Sequence, residues 1–118
     1  MTADSFRDLV LSLREVVEGA HMGHADFRAG GRVFAGLTSD ERQATLRLPP
    51  VEQQALLDSA PTVFTPAAGA WGRQGWTLMD LQTVDTATAR AAVVLAWEHT
   101  MANPARARSP RPAKRRRP

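Results

Sequence analysis

The chain has 118 residues, 43% hydrophobic and 23% charged, which predicts one small globular domain with a modest core. It contains no cysteine, which excludes disulfides, thiolate catalysis and cysteine-ligated metal centres. No apolar run reaches the roughly 18 residues of a membrane span and no signal pattern opens the chain, so we expect a cytoplasmic protein that makes no membrane contact.

The formal net charge of +3 hides a strong asymmetry along the chain. Seven of the 15 basic residues follow Pro104 with no acidic residue among them, so residues 1–103 keep eight basic residues against 12 acidic ones, a balance of −4. The last segment is also rich in proline and has no large apolar side chain. The sequence therefore predicts a folded domain over 1–103 and a disordered basic tail over 104–118.

The first half of the chain predicts a helix followed by a hairpin. Apolar residues recur at three- and four-residue spacing from Phe6 onward, which predicts an amphipathic helix over roughly 5–18 that Gly19 ends. Asp26–Ala29 and Arg32–Leu37 are short segments separated by two glycines, a pattern typical of a β-hairpin.

The second half mixes extended and helical patterns. Gln43–Leu48 alternates polar and apolar residues, as an antiparallel strand with one buried face does. Two prolines after it favour a helix start, and a later stretch rich in Pro, Gly and Ala indicates a loop. The predicted elements are a strand Gln43–Leu48, a helix Val51–Ser59, an extended piece Thr62–Thr65, a loop Pro66–Gly75, a strand Trp76–Leu81 and a helix over 86–102 capped by Thr83 or Asp85.

This order of elements predicts an α+β fold. We expect an antiparallel sheet of four to five strands with the N- and C-terminal helices packed on one face, because each apolar stripe needs a surface to cover it. The large aromatic side chains are expected in the core between these layers: Phe6, Phe27, Phe34, Phe64, Trp76 and Trp97.

Several short motifs follow one another over most of this body. They are residues 21–35 (HMGHADFRAGGRVFA), residues 46–50 (LRLPP), Phe64, Gly75-Trp76, Asp80-Leu81 and Ala96-Trp97. The ordered set resembles the MmcQ/YjbR family from about Phe6 to Trp97. The resemblance implies a compact fold similar to the frataxin-like (CyaY-like) arrangement, and members are often described as DNA-binding proteins with a double-wing motif. Arg32 stands where the family pattern often has lysine, so the charge is kept.

Two glycine-bounded loops are candidates for such wings. The hairpin carries Arg28 and Arg32, and the loop before the last strand carries Trp71, Arg73 and Gln74. Arginines on hairpin tips can reach phosphates or a minor groove, and a tryptophan can stack on an unpaired base. The alternative interpretation is that these are solvated turn residues, with the tryptophan lying over a sheet edge.

The tail is a separate cationic element, in which Arg115, Arg116 and Arg117 are the densest cluster. Seven cations on a flexible segment attract polyanions without sequence preference, or else serve only as a solvated terminus. DNA is therefore the expected partner of a monomeric protein. The alternative is a non-enzymatic protein–protein interaction module whose surface is the loop Pro66–Gly75 with Trp71.

Metal binding and catalysis have weaker support. Glu18, His21, His24 and Asp26 lie within nine positions and could hold zinc or iron, but a second ligand cluster is missing and both histidines fit hydrogen bonds to a turn backbone equally well. Motifs of nucleophilic, phosphate-binding and zinc-dependent catalysis are absent. The sequence thus predicts a protein with no metal, no cofactor and no enzymatic activity.

Overall fold

The computed structural model describes residues 1–103, and the predicted basic tail lies outside the described residues. None of the helices in this range combines the length and the apolar character needed to cross a bilayer. The elements are α1 (Ala3–Leu11), β1 (Val16–His21), β2 (His24–Ala29), β3 (Arg32–Leu37), β4 (Gln43–Arg47), α2 (Pro50–Ser59), β5 (Phe64–Pro66), α3 (Gly69–Arg73), β6 (Trp76–Asp80) and α4 (Thr86–Ala102).

The six strands form one antiparallel sheet in the order β1-β2-β3-β4-β6-β5. Helix α1 lies against β1, α4 crosses β2, β3 and β4, and α2 lies against β5. This confirms the predicted α+β class with the terminal helices on one face, although the sheet has six strands rather than four to five. In β4 and β6 buried residues alternate with half-buried ones, so the second face of the sheet is turned to solvent.

The core lies between the sheet and the helices. Phe6, Phe27, Phe34 and Phe64 are fully buried as predicted, and the rings of Phe6 and Phe27 meet edge to face at 6.0 Å between centroids. The core placement was wrong for Trp76, which is only half-buried, whereas Trp97 is half-buried but packs against the core. Trp76 lies on the solvent face of the sheet. Trp97 lies at the rim of α4, where its indole nitrogen donates to the Arg14 carbonyl at 3.0 Å.

The predicted first helix, 5–18, is wrong in its second half. Helix α1 begins at a capping box between Thr2 and Ser5 and ends at Leu11, and Glu15 then takes a left-handed φ of 64°. The following residues, Val16 and Val17, are β-branched and pair with β2 as an edge strand. The apolar spacing at Val16 and Val17 fits both a helix and a strand, and pairing with β2 selects the strand.

Two tight hairpins bound β2. The first turns at Met22-Gly23, with φ values of 51° and 85°, so β2 begins at His24 rather than at Asp26. The second turns at Gly30-Gly31, with φ values of 58° and 82°, as the sequence predicts. The register between β2 and β3 shifts at Phe27/Arg28, which is a β-bulge.

The predicted loop 66–75 contains the short helix α3, and β5 begins at Phe64, later than the extended piece predicted from Thr62. The buried side-chain amide of Gln53 on α2 fixes α3 in place. Its nitrogen donates to the Gly72 carbonyl at 3.0 Å and to the Thr77 hydroxyl at 3.1 Å. The polar Gln53 therefore faces inward on α2, whereas the apolar Val51 is 76% exposed.

Candidate nucleic-acid interface

Arginines gather at one end of the sheet. Strands β2 and β4 finish at this end, and β1, β3 and β6 begin there, because neighbouring strands are antiparallel. Five of the eight arginines of residues 1–103 lie at these strand ends or in the adjoining turns. We call this region the arginine end; its members are Arg14, Arg28, Arg32, Arg47 and Arg73.

Five of the 12 carboxylates of residues 1–103 gather at the opposite end, whereas Glu15 and Glu52 adjoin the arginine end. Asp40 and Glu41 occupy the turn between β3 and β4, Asp80 ends β6, Asp85 caps α4 and Asp58 lies near the end of α2. The strands between the two ends are five or six residues long, about 17–20 Å. This exceeds the Debye length of about 8 Å at physiological ionic strength, so a ligand at the arginine end is largely screened from these carboxylates.

Arg28 lies on the solvent face of the sheet, which we call the open face; this face also carries Thr45, Arg47, Trp76 and Leu78. The Arg28 side chain is 53% exposed, and its Nε lies 3.6 Å from Oδ1 of Asp26, too far for a hydrogen bond. Asp26 is 6% exposed and sits beside Gly19, where an added Cβ would lie 3.0 Å from Oδ1. Arg28 and Asp26 thus form an ion pair without a hydrogen bond, and the exposed half of the Arg28 side chain faces solvent.

Arg32 points to the helix side of the sheet. Its Nη1 donates to the carbonyl of Asn103 at 2.9 Å, at the C-terminus of α4 where the helix dipole favours a cation. The contact brings the hairpin tip next to the point from which the basic tail leaves the fold. The structure thus places Arg28 and Arg32 at the same end of the sheet but on different sides of it.

Arg47 is a functional candidate that the sequence reasoning missed. It is half-buried at the end of β4, and its Nε is buried with no hydrogen-bond acceptor among the described residues. Burial, and then the charge of Arg32, lower the pKa of Arg47 below its ordinary value. Within residues 1–103 no carboxylate lies within 4.0 Å of its guanidinium. Because Nε itself is buried, an anionic ligand would meet the exposed part of the Arg47 guanidinium.

The second predicted wing is the tip of α3 rather than a loop. Trp71 is 64% exposed, and Arg73 and Gln74 are exposed at the C-terminal end of this helix. The hydrogen bond from Gln53 to Gly72 holds the tip against α2. The remaining predicted contacts, Arg115, Arg116 and Arg117, lie outside the described residues.

Trp76 is a second functional candidate that the sequence reasoning missed, because it placed this residue in the core. It pairs directly with Arg47 across β4 and β6, so an indole and a guanidinium lie side by side on the open face. A signal for both residues was present in the sequence. The alternation of Gln43–Leu48 puts Arg47 opposite the buried leucines, and the same period places Trp76 opposite the buried Thr77 and Met79.

The residues considered for metal binding do not assemble into a ligand set. In the part of the chain that the structure describes, no three His, Cys, Asp or Glu residues are placed to hold an ion together. His21 and His24 are cross-strand partners whose rings meet at 6.2 Å between centroids and 83° between planes. Nδ1 of His24 is buried with no partner among the described residues.

The protein is a small α+β domain in which helices cover one face of an antiparallel sheet and arginines gather at one end of that sheet. The chain belongs to the YjbR family, whose model matches residues 11–99. Among solved structures it is similar to the Deinococcus radiodurans protein DR2400, described as carrying the family domain DUF419, with a TM-score of 0.70 at 19% sequence identity. That similarity covers 81% of this chain and 75% of the other, and it shows the shared fold alone. No functionally curated protein matches the sequence.

Proposed function

We propose that this protein binds DNA by holding its phosphate backbone at the arginine end, with the basic tail adding further attraction. The observation that carries the proposal is the gathering of five arginines at one end of a body whose overall charge is −4. A domain that binds phosphates needs a local basic surface rather than a basic average.

Two projections flank this end, and in this proposal they act as the two wings. One is the tip of the β2–β3 hairpin, with Arg28 and Arg32, and the other is α3, with Arg73 and Gln74. Arg47 lies between them on β4. Because phosphate contacts fix position without reading sequence, these residues would supply affinity and register rather than base specificity.

The proposal describes a binding protein and not an enzyme. It takes the protein as a cytoplasmic monomer that needs no cofactor. Asn103, the residue before the tail, contacts Arg32, and seven basic residues follow Pro104. The tail and the arginine end can therefore act on one stretch of DNA. Linking two weak cationic elements in this way raises the effective concentration of each for the same ligand.

The test is a titration of a fluorescent duplex with the full chain at several salt concentrations. Alanine variants of Arg28, Arg32, Arg47 and Arg73 should weaken binding, and each lost phosphate contact should lower the magnitude of the log–log salt slope by about 0.9. Arg42→Ala is the matched control, because Arg42 is exposed in the turn at the opposite end of the sheet.

A second chain separates the tail from the fold. In it the seven basic residues after Pro104 are replaced by glutamine, with the rest of the sequence unchanged. We expect weaker binding that still responds to the arginine variants. Complete loss of binding in this chain, with no effect of the four alanine variants in the native chain, would show that the arginine end does not contact DNA.

One observation favours a protein partner as the second candidate function. Trp71 is 64% exposed, and Pro66 beside it on the edge strand β5 is exposed as well. Tryptophan is enriched at the centre of protein interfaces. If Trp71→Ser weakens binding to DNA, α3 belongs to the nucleic-acid interface and the exposed indole no longer supports a protein partner; unchanged DNA titrations keep the second candidate open to a direct search for a protein ligand.

A further inference from the structure

We infer that the open face of the sheet binds single-stranded nucleic acid, with an unpaired base stacked on Trp76 and the adjoining phosphates held by Arg47 and Arg28. This inference rests on the proposed function and deepens it, because it states which form of nucleic acid fits the sheet. Two of its three residues, Trp76 and Arg47, lie outside both predicted wings.

The register of the strands sets which residues are neighbours on the open face. Arg47 is the cross-strand partner of Trp76, and Arg28 is the partner of Val17 on β1 and of Val33 on β3. In the order of the strands, the row across the open face near the arginine end consists of Val17, Arg28, Val33, Arg47 and Trp76. Cations alternate with apolar side chains along it. Val17 is 65% exposed and Trp76 is half-buried, so the row offers apolar surface between its charges.

The position of Trp76 selects an unpaired base over a paired one. Strand β6 lies between β4 and β5, so the indole lies within the sheet surface and not on a projecting tip. A protein reads a duplex by inserting a helix or a ribbon into a groove, which a side chain within a sheet surface cannot do. A base that is not paired can instead lie flat on an aromatic ring, as it does on other sheets that bind single strands.

The charges on the open face fit the backbone of such a strand. Nε of Arg47 is buried without an acceptor among the described residues, and the exposed Arg28 forms an ion pair with Asp26 at 3.6 Å that is too long to be a hydrogen bond. Two strand spacings, about 10 Å, separate β2 from β4, so the two guanidinium groups would contact different phosphates. The buried carboxylate of Asp26 lies farther along β2 and repels phosphate, which confines the backbone to the row near the arginine end.

The test compares single-stranded oligothymidine with a duplex of the same length, using the full chain. Trp76→Leu should lower the affinity for the single strand by about 5- to 150-fold, the range for losing one stacked base, while Trp76→Phe should keep most of it. Trp71→Leu is the matched control, because Trp71 is exposed on α3 and not on the open face. A chain with Trp71 and Trp97 replaced by phenylalanine reports on Trp76 alone through its fluorescence, and it does so even if Trp76→Leu fails to fold.

The expected result is tighter binding of the single strand than of the duplex, with quenching of the Trp76 fluorescence on binding. Equal or weaker binding of the single strand, or unchanged Trp76 fluorescence at saturation, would overturn the inference and leave the proposed DNA binding standing. A loss of affinity in Trp71→Leu rather than in Trp76→Leu would overturn it as well, by moving the stacking to α3. If neither form of DNA binds, the proposed function itself fails.

Discussion

Arg47 gives the sharpest prediction, because its effects on stability and on binding should have opposite signs. Replacing it with methionine keeps a long apolar stem and removes both the charge and the Nε–H group. A buried donor without a partner costs about 1–3 kcal/mol, and the repulsion by Arg32, which contributes to the lowered pKa of Arg47, acts in the same direction. Since water can reach part of this half-buried side chain, we expect Arg47→Met to stabilise the fold by about 1 kcal/mol.

Thermal unfolding followed by calorimetry measures the effect of Arg47→Met on stability. For a domain of this size, about 1 kcal/mol corresponds to a rise in Tm of roughly 4–8 °C. The salt dependence of DNA affinity measures the effect on binding, and the log–log salt slope should fall in magnitude by about 0.9. Arg42→Met serves as the control, since the exposed Arg42 lies at the acidic end and its replacement should change the unfolding free energy by less than about 0.5 kcal/mol.

The reasoning would be refuted by a variant that melts several degrees below the native protein while its salt slope stays the same. Arg47 would then be a structural cation whose charge the fold needs. A variant that is more stable but binds DNA as tightly as before would confirm the unpaired donor and remove Arg47 from the interface. Only the combination of higher stability and weaker binding agrees with a residue kept for a ligand.

Three further predictions test the parts of the fold that position the interface. Gly75→Ala should lower stability in urea unfolding by well over 1 kcal/mol, because the φ of Gly75 is 102° and an added Cβ would collide with the Leu48 carbonyl. Gly23→Ala, with a φ of 85° and open space around it, should cost only about 1 kcal/mol. Gln53→Leu should cost about 1–2 kcal/mol by the same measurement and speed hydrogen exchange in α3, because it removes the two hydrogen bonds from Nε2 to Gly72 and Thr77, although the Gly72 carbonyl keeps the bond from the Gly75 amide. Hydrogen bonds from Thr88 lower the pKa of Asp85, so its contribution to stability is complete above about pH 4 and is lost as the pH falls through the lowered folded-state value. We therefore expect the Tm of Asp85→Asn, followed by circular dichroism, to lie below that of the native protein at neutral pH and to meet it at strongly acid pH.

Features that a single local pattern determines could be predicted from the sequence. The alternation of Gln43–Leu48 predicts the buried and solvent faces of β4 correctly, because a strand has a period of two. The glycine pair at 30 and 31 predicts its hairpin, because both residues need a positive φ. The four buried phenylalanines follow from size and hydrophobicity alone.

Features that depend on a distant partner could not be predicted in this way. Val16 and Val17 fit a helix by spacing and a strand by shape, and only β2 as a neighbour decides for the strand. Helix α3 forms in a stretch of weak helix formers. The contact that holds it comes from Gln53, sixteen or more residues earlier in the chain, which donates its side-chain amide to Gly72 and Thr77. Trp76 was assigned to the core by its size, although the period of its own strand turns it to the open face.

The arginine end shows how position along the chain becomes a surface. Arg28 and Arg47 close their strands, whereas Arg32 opens one and Arg73 precedes the opening of another, and in an antiparallel sheet these positions share one end. The carboxylates at the other strand ends gather at the opposite end for the same reason. A net charge of −4 in the folded body is therefore no obstacle to phosphate binding, because the ligand meets a local potential and not a sum over the domain. The order of the strands, more than the number of arginines, is what makes a nucleic-acid interface possible here.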